Sequence, residues 1–374
     1  MKKFPIFFVF KFSSIFMFYT TNNKEMEERK MKNKKTMAEI ILIIILIIVL
    51  GIIIGLFAKV TNTKQRRMDG GFHMQENKTK ETTANDVDEG QIVNSTQINL
   101  SEYDSNLTIS EAGTYTLSGS FKNSVVVNAN GDVTLILNGV DIESSITAAI
   151  ANGTTNALTI KLADNTTNNL SDGGSSEYDG CIFSYGKLTI EGNGILNVNG
   201  SQEEGEGIAT KSCDLIINSG TINVTSNDDG LNAGGSGGSI IINGGTVYIK
   251  ANGDGIDSNG ALTINGGKVY TIGSSQGGDA GIDTDEGYIL NGGELIAIGS
   301  DMLEKPESSS KQKYACFELS TKVDSGSTVE VKNENGDVIA SFEAKDSFKT
   351  LIVSNEKVSD ETILSVYVNG EKIK

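Results

Sequence analysis

Three stretches of this 374-residue chain carry acidic or amide side chains at matching places around a glycine. Asn232 follows Asp229-Gly230, Asp257 follows Asp254-Gly255, and Asp283 follows Ala280-Gly281, with Asp228, Asp279 and Asp285 beside them. Aligned on their glycines, Asp229, Asp254 and Ala280 form one column, and Asn232, Asp257 and Asp283 form a second. Asp279, one residue early, can supply the carboxylate that Ala280 lacks through a one-residue bulge. Carboxylate and amide oxygens on tight turns, with no histidine or cysteine among them, suit a hard cation. Calcium is favoured over magnesium because it accepts roughly six to eight oxygens in irregular geometry. The competing reading is of solvated aspartates chosen for turn propensity. Two further acidic groups, Glu203/Glu204/Glu206 and Asp172/Glu177/Asp179, read at least as well as solvated surface.

These positions recur because the sequence recurs. Gly180, Gly207, Gly230, Gly255 and Gly281 are spaced by 27, 23, 25 and 26 residues. A period in that range, built from short alternating strands without helical spacing, predicts a stacked solenoid. Equivalent positions of successive rungs then lie about 4.8 Å apart. Carboxylates stacked that closely repel unless a cation stands between them. Asn218, Asn243, Asn265 and Asn291 each open a turn with glycine, and both residue types tolerate a left-handed backbone. Their expected role is scaffold, stacked rung on rung. Tyr248 and Tyr270 each fall five residues after such an asparagine and should stack outward on adjacent rungs. Aromatic faces serve sugar rings, so both are candidate carbohydrate contacts, with cross-rung stacking as the alternative.

Composition narrows the classes. The chain has 43 Gly, 2 Pro, no Trp and a single histidine, His73. Of 31 basic and 48 acidic residues, 13 and 4 precede residue 69, so the remainder carries 18 against 44. Such acidity argues against nucleic acid and for bound cations. All three arginines (Arg29, Arg66, Arg67) precede the repeats. Cys181, Cys213 and Cys316 are widely spaced and read as thiols in or near the core. Residues 40–58 run 19 positions without a charge, long enough to cross a bilayer as a helix. The organisation expected is a cytoplasmic segment over 1–39, of which 1–30 look like an over-extended start. A transmembrane helix (40–58), a polar spacer (59–97), a β-helix (98–300) and a C-terminal β cap (301–374) follow. A cleaved signal peptide on a secreted protein is the alternative.

The runs Val133–Val140, Ala149–Thr166, Gly186–Val198, Gly207–Val224 and Asp254–Gly267 follow one another as they do in a known family. From Ser95 to Lys374 the chain resembles the clostridial carbohydrate-binding parallel β-helix proteins. The resemblance implies an all-β fold, a right-handed parallel β-helix, and export. It also implies calcium binding and recognition of cellulose-like or polygalacturonate-like polysaccharide, on a scaffold close to some pectate lyases. Ala280 and the long N-terminal segment depart from that pattern.

Three functions stay open on this reading. The first is a non-catalytic, monomeric, calcium-dependent polysaccharide binder, anchored to the membrane with its β-helix outside. The second is a calcium-dependent pectate-type lyase, which needs a base to remove a proton. Without arginine in the repeats, Lys211 is the best such base and Lys250 the next. The third is a structural adhesin rigidified by calcium. Histidine-dependent hydrolase chemistry is excluded from the repeats, because His73 lies in the spacer.

Overall fold

The computed structural model describes residues 95–173, 178–202 and 205–374. The expected cytoplasmic segment, the transmembrane helix (40–58) and nearly all of the spacer lie outside the described residues, as do Glu177, Glu203 and Glu204. Among the described residues the helical content is one short turn, Leu100–Glu102. No helix there is long and apolar enough to cross a membrane.

The repeats form a parallel β-solenoid. One face is an eight-stranded parallel sheet that includes Ile182–Ser184, Ile208–Lys211, Leu231–Gly234, Ile256–Ser258 and Ile282–Thr284. The other strands belong to a 17-stranded sheet that makes two further faces. On one of these, Leu158–Leu162, Leu188–Gly192, Leu215–Ile217, Ile240–Ile242, Leu262–Ile264 and Tyr288–Leu290 stack in parallel. On the other stand Thr167–Ser171, Ile195–Gly200, Thr221–Ser226, Thr246–Ala251, Lys268–Ile272 and Glu294–Gly299.

Alternation decides what enters the core. In each short strand every second side chain points inward, so the inward positions of successive rungs make continuous aliphatic columns. Leu158, Leu188, Leu215, Ile240 and Leu262 form one, closed at the last rung by Tyr288. All six are fully buried. The Tyr288 hydroxyl donates to the Glu304 carbonyl, which satisfies a polar tip brought into the interior. Cys181 is buried, Cys213 and Cys316 half-buried, and all three are free thiols.

The NGG turns behave as a scaffold. Asn243 donates its side-chain amide to Asn218 Oδ1, Asn265 to Asn243 and Asn291 to Asn265, at 2.7–2.8 Å. The strand register also corrects the sequence alignment by one residue. Ile182, Ile208, Leu231, Ile256 and Ile282 are in register. Cys181, not Gly180, therefore stands in the column of Gly207, Gly230, Gly255 and Gly281.

The far end is closed by antiparallel strands. Phe348–Ser354 pairs with Glu294–Gly299 of the last rung, and Tyr314–Val323 pairs with Phe348–Ser354. An open solenoid end would invite edge-to-edge association, and these strands occupy it. A separate four-stranded antiparallel sheet contains Thr328–Asn333, Val338–Glu343, Leu364–Val368 and Glu371–Lys372. Its last two strands are joined at Asn369-Gly370, both with positive φ, the requirement of a two-residue type I′ turn.

The rung glycines are demanded by space. A Cβ on Gly230 would fall 2.1 Å from Ile249 Cγ2 and 2.5 Å from the Gly255 carbonyl oxygen. The Gly230→Ala protein should therefore lose about 1–3 kcal/mol or more of stability. Urea denaturation reads the loss, and an unchanged midpoint would mean that the rungs pack less closely than described.

Candidate functional site: an acidic face centred on Asn232

Outward positions of the eight-stranded sheet carry the candidate chemistry. In register along it stand Phe183, Ala209, Asn232, Asp257 and Asp283. The residues just before the rung glycines form the neighbouring column of Glu206, Asp229, Asp254 and Ala280. Glu206 therefore joins the principal acidic column. Extending the sequence alignment back to Gly207 would have placed it there.

The Asn232 side-chain nitrogen is the hub. It lies 3.0 Å from Glu206 Oε1, 3.1 Å from Asp229 Oδ2 and 3.1 Å from Asp257 Oδ2. An amide nitrogen has two hydrogens, so three carboxylate oxygens compete for two donors. Glu206 is only 8% exposed, and its second oxygen, Oε2, is buried without a hydrogen-bond partner. Backbone donors relieve part of the remaining charge. The Asp254 N–H donates to Asp229 Oδ1 at 2.7 Å, and the Ala280 N–H donates to Asp254 Oδ1.

Crowding and burial together oppose ionisation. Burial is the main cause that pushes the Glu206 carboxyl up to about 10, with the charges of Asp229, Asp228, Asp179 and Asp257 adding to it. Burial likewise raises Asp254 to about 7, despite the Ala280 N–H. Asp229 and Asp257 are each raised to about 6, again chiefly by burial.

Each other predicted residue has a definite place. The Asp228 charge acts on Glu206 and Asp257. A Cβ on Gly253 would fall 2.4 Å from Asp229 Oδ1 and 2.5 Å from Asp228 Oδ1, so the bare glycine makes room for both carboxylates. The charge of Asp283 raises Asp257 and Asp254. Asp285 accepts from the Asn259 amide at the rim. The bulge expected at Asp279 is not formed. Gly255 donates to the Ala280 carbonyl as Gly230 does to that of Asp254, so the regular pattern continues. Asp279 stays one position outside the column, close enough for its charge to raise Asp229 and Asp254. Asp172 is buried and accepts from the Ser201 N–H and the Gln202 amide, which makes it a structural carboxylate.

Tyr248 and Tyr270 lie on a different face, where they pair in register. Their ring centroids are 5.4 Å apart at 71°, an edge contact and not a flat strip. Tyr270 packs on Phe342 of the C-terminal sheet and donates its hydroxyl to the Glu343 carbonyl. The cap thus takes up the Tyr270 ring. The aromatic group nearest the acidic face is instead Tyr178, Phe183 and Tyr185, with centroids 4.9–6.4 Å apart. Periodicity did not reveal it, because the three rings belong to one rung and do not repeat.

Among the described residues no three or more His, Cys, Asp or Glu side chains stand in an arrangement that could hold a metal ion as they are. The carboxylates gather on the Asn232 amide instead. The raised values have a direct consequence for stability. A carboxyl held above its unfolded value stabilises the fold at low pH, and that contribution is lost as pH rises through the folded value. Cation-free protein should therefore melt at progressively lower temperature between about pH 5 and about pH 9. Calorimetry in the presence of a chelator reads this, and a flat or rising profile would contradict the crowded geometry.

A family model described as carbohydrate-binding domain-containing protein matches residues 103–362. A protein of Acetivibrio thermocellus with the same description is 32% identical over 136 residues. That match covers 33% of this chain and 46% of the relative, so the chain spans less than half the relative's length. A solved polysaccharide lyase-like protein from C. thermocellum, studied as a gadolinium derivative, is 26% identical with a TM-score of 0.43. The likeness covers 55% of this chain and 89% of that one. The family model spans well over half of the sequence, and the chain belongs to the carbohydrate-binding domain-containing protein family.

Proposed function

We propose that this protein is a non-catalytic, calcium-dependent binder of acidic polysaccharide that works at the outer cell surface. The observation that carries the reading is the hub at Asn232. Three carboxylate oxygens converge on one amide nitrogen, and the buried Glu206 Oε2 lacks a partner. The donors are all oxygens, the chemistry of a hard cation. Turning the Asn232 amide about its last torsion presents Oδ1 in place of the nitrogen, adding an oxygen to Glu206, Asp229 and Asp257. Bound calcium supplies positive charge that a uronate carboxylate can approach, which reconciles an acidic protein with an acidic polymer. Tyr185, exposed beside Phe183, offers a ring face on the same side of the solenoid. The uncharged run over residues 40–58 would hold the β-helix at the membrane.

The lyase reading has one specific support. Lys211 closes the strand Ile208–Lys211 and pairs in register with Gly234, on the acidic face. Lys250 lies on another face, 3.3 Å from Asp346 and donating to the Lys345 carbonyl, and is not available as a base there.

Calcium should raise the melting temperature and permit saturable binding to polygalacturonate, both reversed by EDTA. Glu206→Gln and Asp257→Asn should each weaken the calcium response about tenfold or more. Retention of full binding and stability in EDTA would overturn the metal. Incubation with polygalacturonate and calcium should yield no unsaturated-product absorbance. If product appears and is lost in Lys211→Ala, the protein is a lyase.

A further inference from the structure

We propose that a second, metal-independent glycan site lies on another face of the solenoid, where an asparagine ladder forms one wall of a polar trough. Asn169, Asn197 and Asn223 are in register on the outward side of Thr167–Ser171, Ile195–Gly200 and Thr221–Ser226. Asn223 donates its amide to Asn197 Oδ1, and Asn197 donates to Asn169 Oδ1, each at 2.8 Å. Ser171, Asn199 and Thr225 form a parallel column two residues further along the same strands. Between the columns runs a trough of about 290 Å³. Asp141 precedes Asn169 at one end, and Tyr248 follows Asn223 at the other.

The chemistry of the ladder selects the ligand. Within the ladder Asn197 uses one of two N–H groups and one of two oxygen lone pairs. One donor and one acceptor remain, in fixed orientation. A sugar hydroxyl both donates and accepts, so it can meet the two together. A carboxylate accepts only and leaves half of the pair unmet. Charge gives the same answer. The six residues of the two columns are uncharged, in a region whose acidic residues outnumber basic ones by 44 to 18. The flanking charges are Asp141 and Glu143, which precede Asn169 and Ser171 and repel a uronate, and two lysines already engaged, Lys122 by Glu143 and Lys250 by Asp346. The ligand is therefore an uncharged, hydroxyl-rich polysaccharide.

Its shape follows from the ladder. The amides recur about every 4.8 Å along a straight column, so a chain that meets several at once must be extended. The NGG ladder at Asn218, Asn243, Asn265 and Asn291 does not qualify. The polar column beyond its glycines, Thr221, Thr246, Lys268 and Glu294, carries a Lys268–Glu294 ion pair, so it is not an uncharged wall.

The test uses the full chain in the presence of EDTA, with hydroxyethylcellulose as the neutral extended probe, read by affinity electrophoresis. Saturable binding is expected. Asn197→Asp, which keeps the shape but removes the donors and adds charge, should weaken it about tenfold, and so should Asn197→Thr. The calcium response should stay as in the parent protein, and the melting temperature should fall only slightly, as the loss of an exposed ladder hydrogen bond requires. Thr225→Val, on the opposite wall, should also weaken binding and serves if either Asn197 variant is unstable. Dextran, uncharged but not extended, should bind much more weakly. The proposal falls if hydroxyethylcellulose does not bind in EDTA, if Glu206→Gln abolishes that binding, or if the trough variants leave it unchanged. Failure of the calcium reading leaves this experiment intact, because it is run without free metal.

Discussion

In-register stacking of parallel rungs is the constraint on which the rest of this protein depends. Each rung lies about 4.8 Å from the next, and any residue type that recurs with the period is placed against its own kind. For leucine and isoleucine this produces the buried columns of the core. For asparagine it produces amide ladders, because one amide can donate to the next and still accept. For aspartate the same geometry is costly, since like charges at that distance repel. The acidic face is where that cost is concentrated, and the Asn232 amide, the backbone N–H groups and raised carboxyl values are how the fold bears it.

The two outward surfaces differ in kind. The acidic face gathers more carboxylate oxygens than the Asn232 amide has hydrogens to meet. The asparagine trough balances donors and acceptors within itself and leaves one of each over, which is the condition of a surface that meets hydroxyl groups. A single family membership covers both, yet their ligands would differ in charge. The trough lies on Thr221–Ser226 and its equivalents and the acidic face on Leu231–Gly234 and its equivalents, so each surface has its own strands.

The C-terminal strands do more than close the end. By pairing Phe348–Ser354 with the last rung they remove an exposed edge, and by packing Phe342 on Tyr270 they reassign an aromatic pair from open surface to cap contact. Tyr248 packs against the same cluster without a hydroxyl bond of that kind, and stands next in the column after Asn223. The two tyrosines that the repeat presents as equivalent are thus made unequal by residues some 70 positions later.

Much of this was legible from the residues alone. The period of roughly 25 implied stacked rungs, and the alignment on glycine placed Asp229 with Asp254 and Asn232 with Asp257 and Asp283. Turn chemistry identified the NGG asparagines as scaffold, and their spacing foretold the ladder. These features are periodic, and a periodic sequence on a regular ladder determines its own neighbours. Tertiary structure decided the rest. It placed Glu206 at the head of the acidic column with one oxygen buried and unpaired, and it aimed the Asn232 nitrogen at three carboxylates. It also shifted Gly180 out of the glycine column, gathered Tyr178, Phe183 and Tyr185 within a single rung, and opened the trough beside Asn197. The reason is physical: period specifies which residues stack, whereas burial, side-chain direction and covering loops depend on segments that do not repeat.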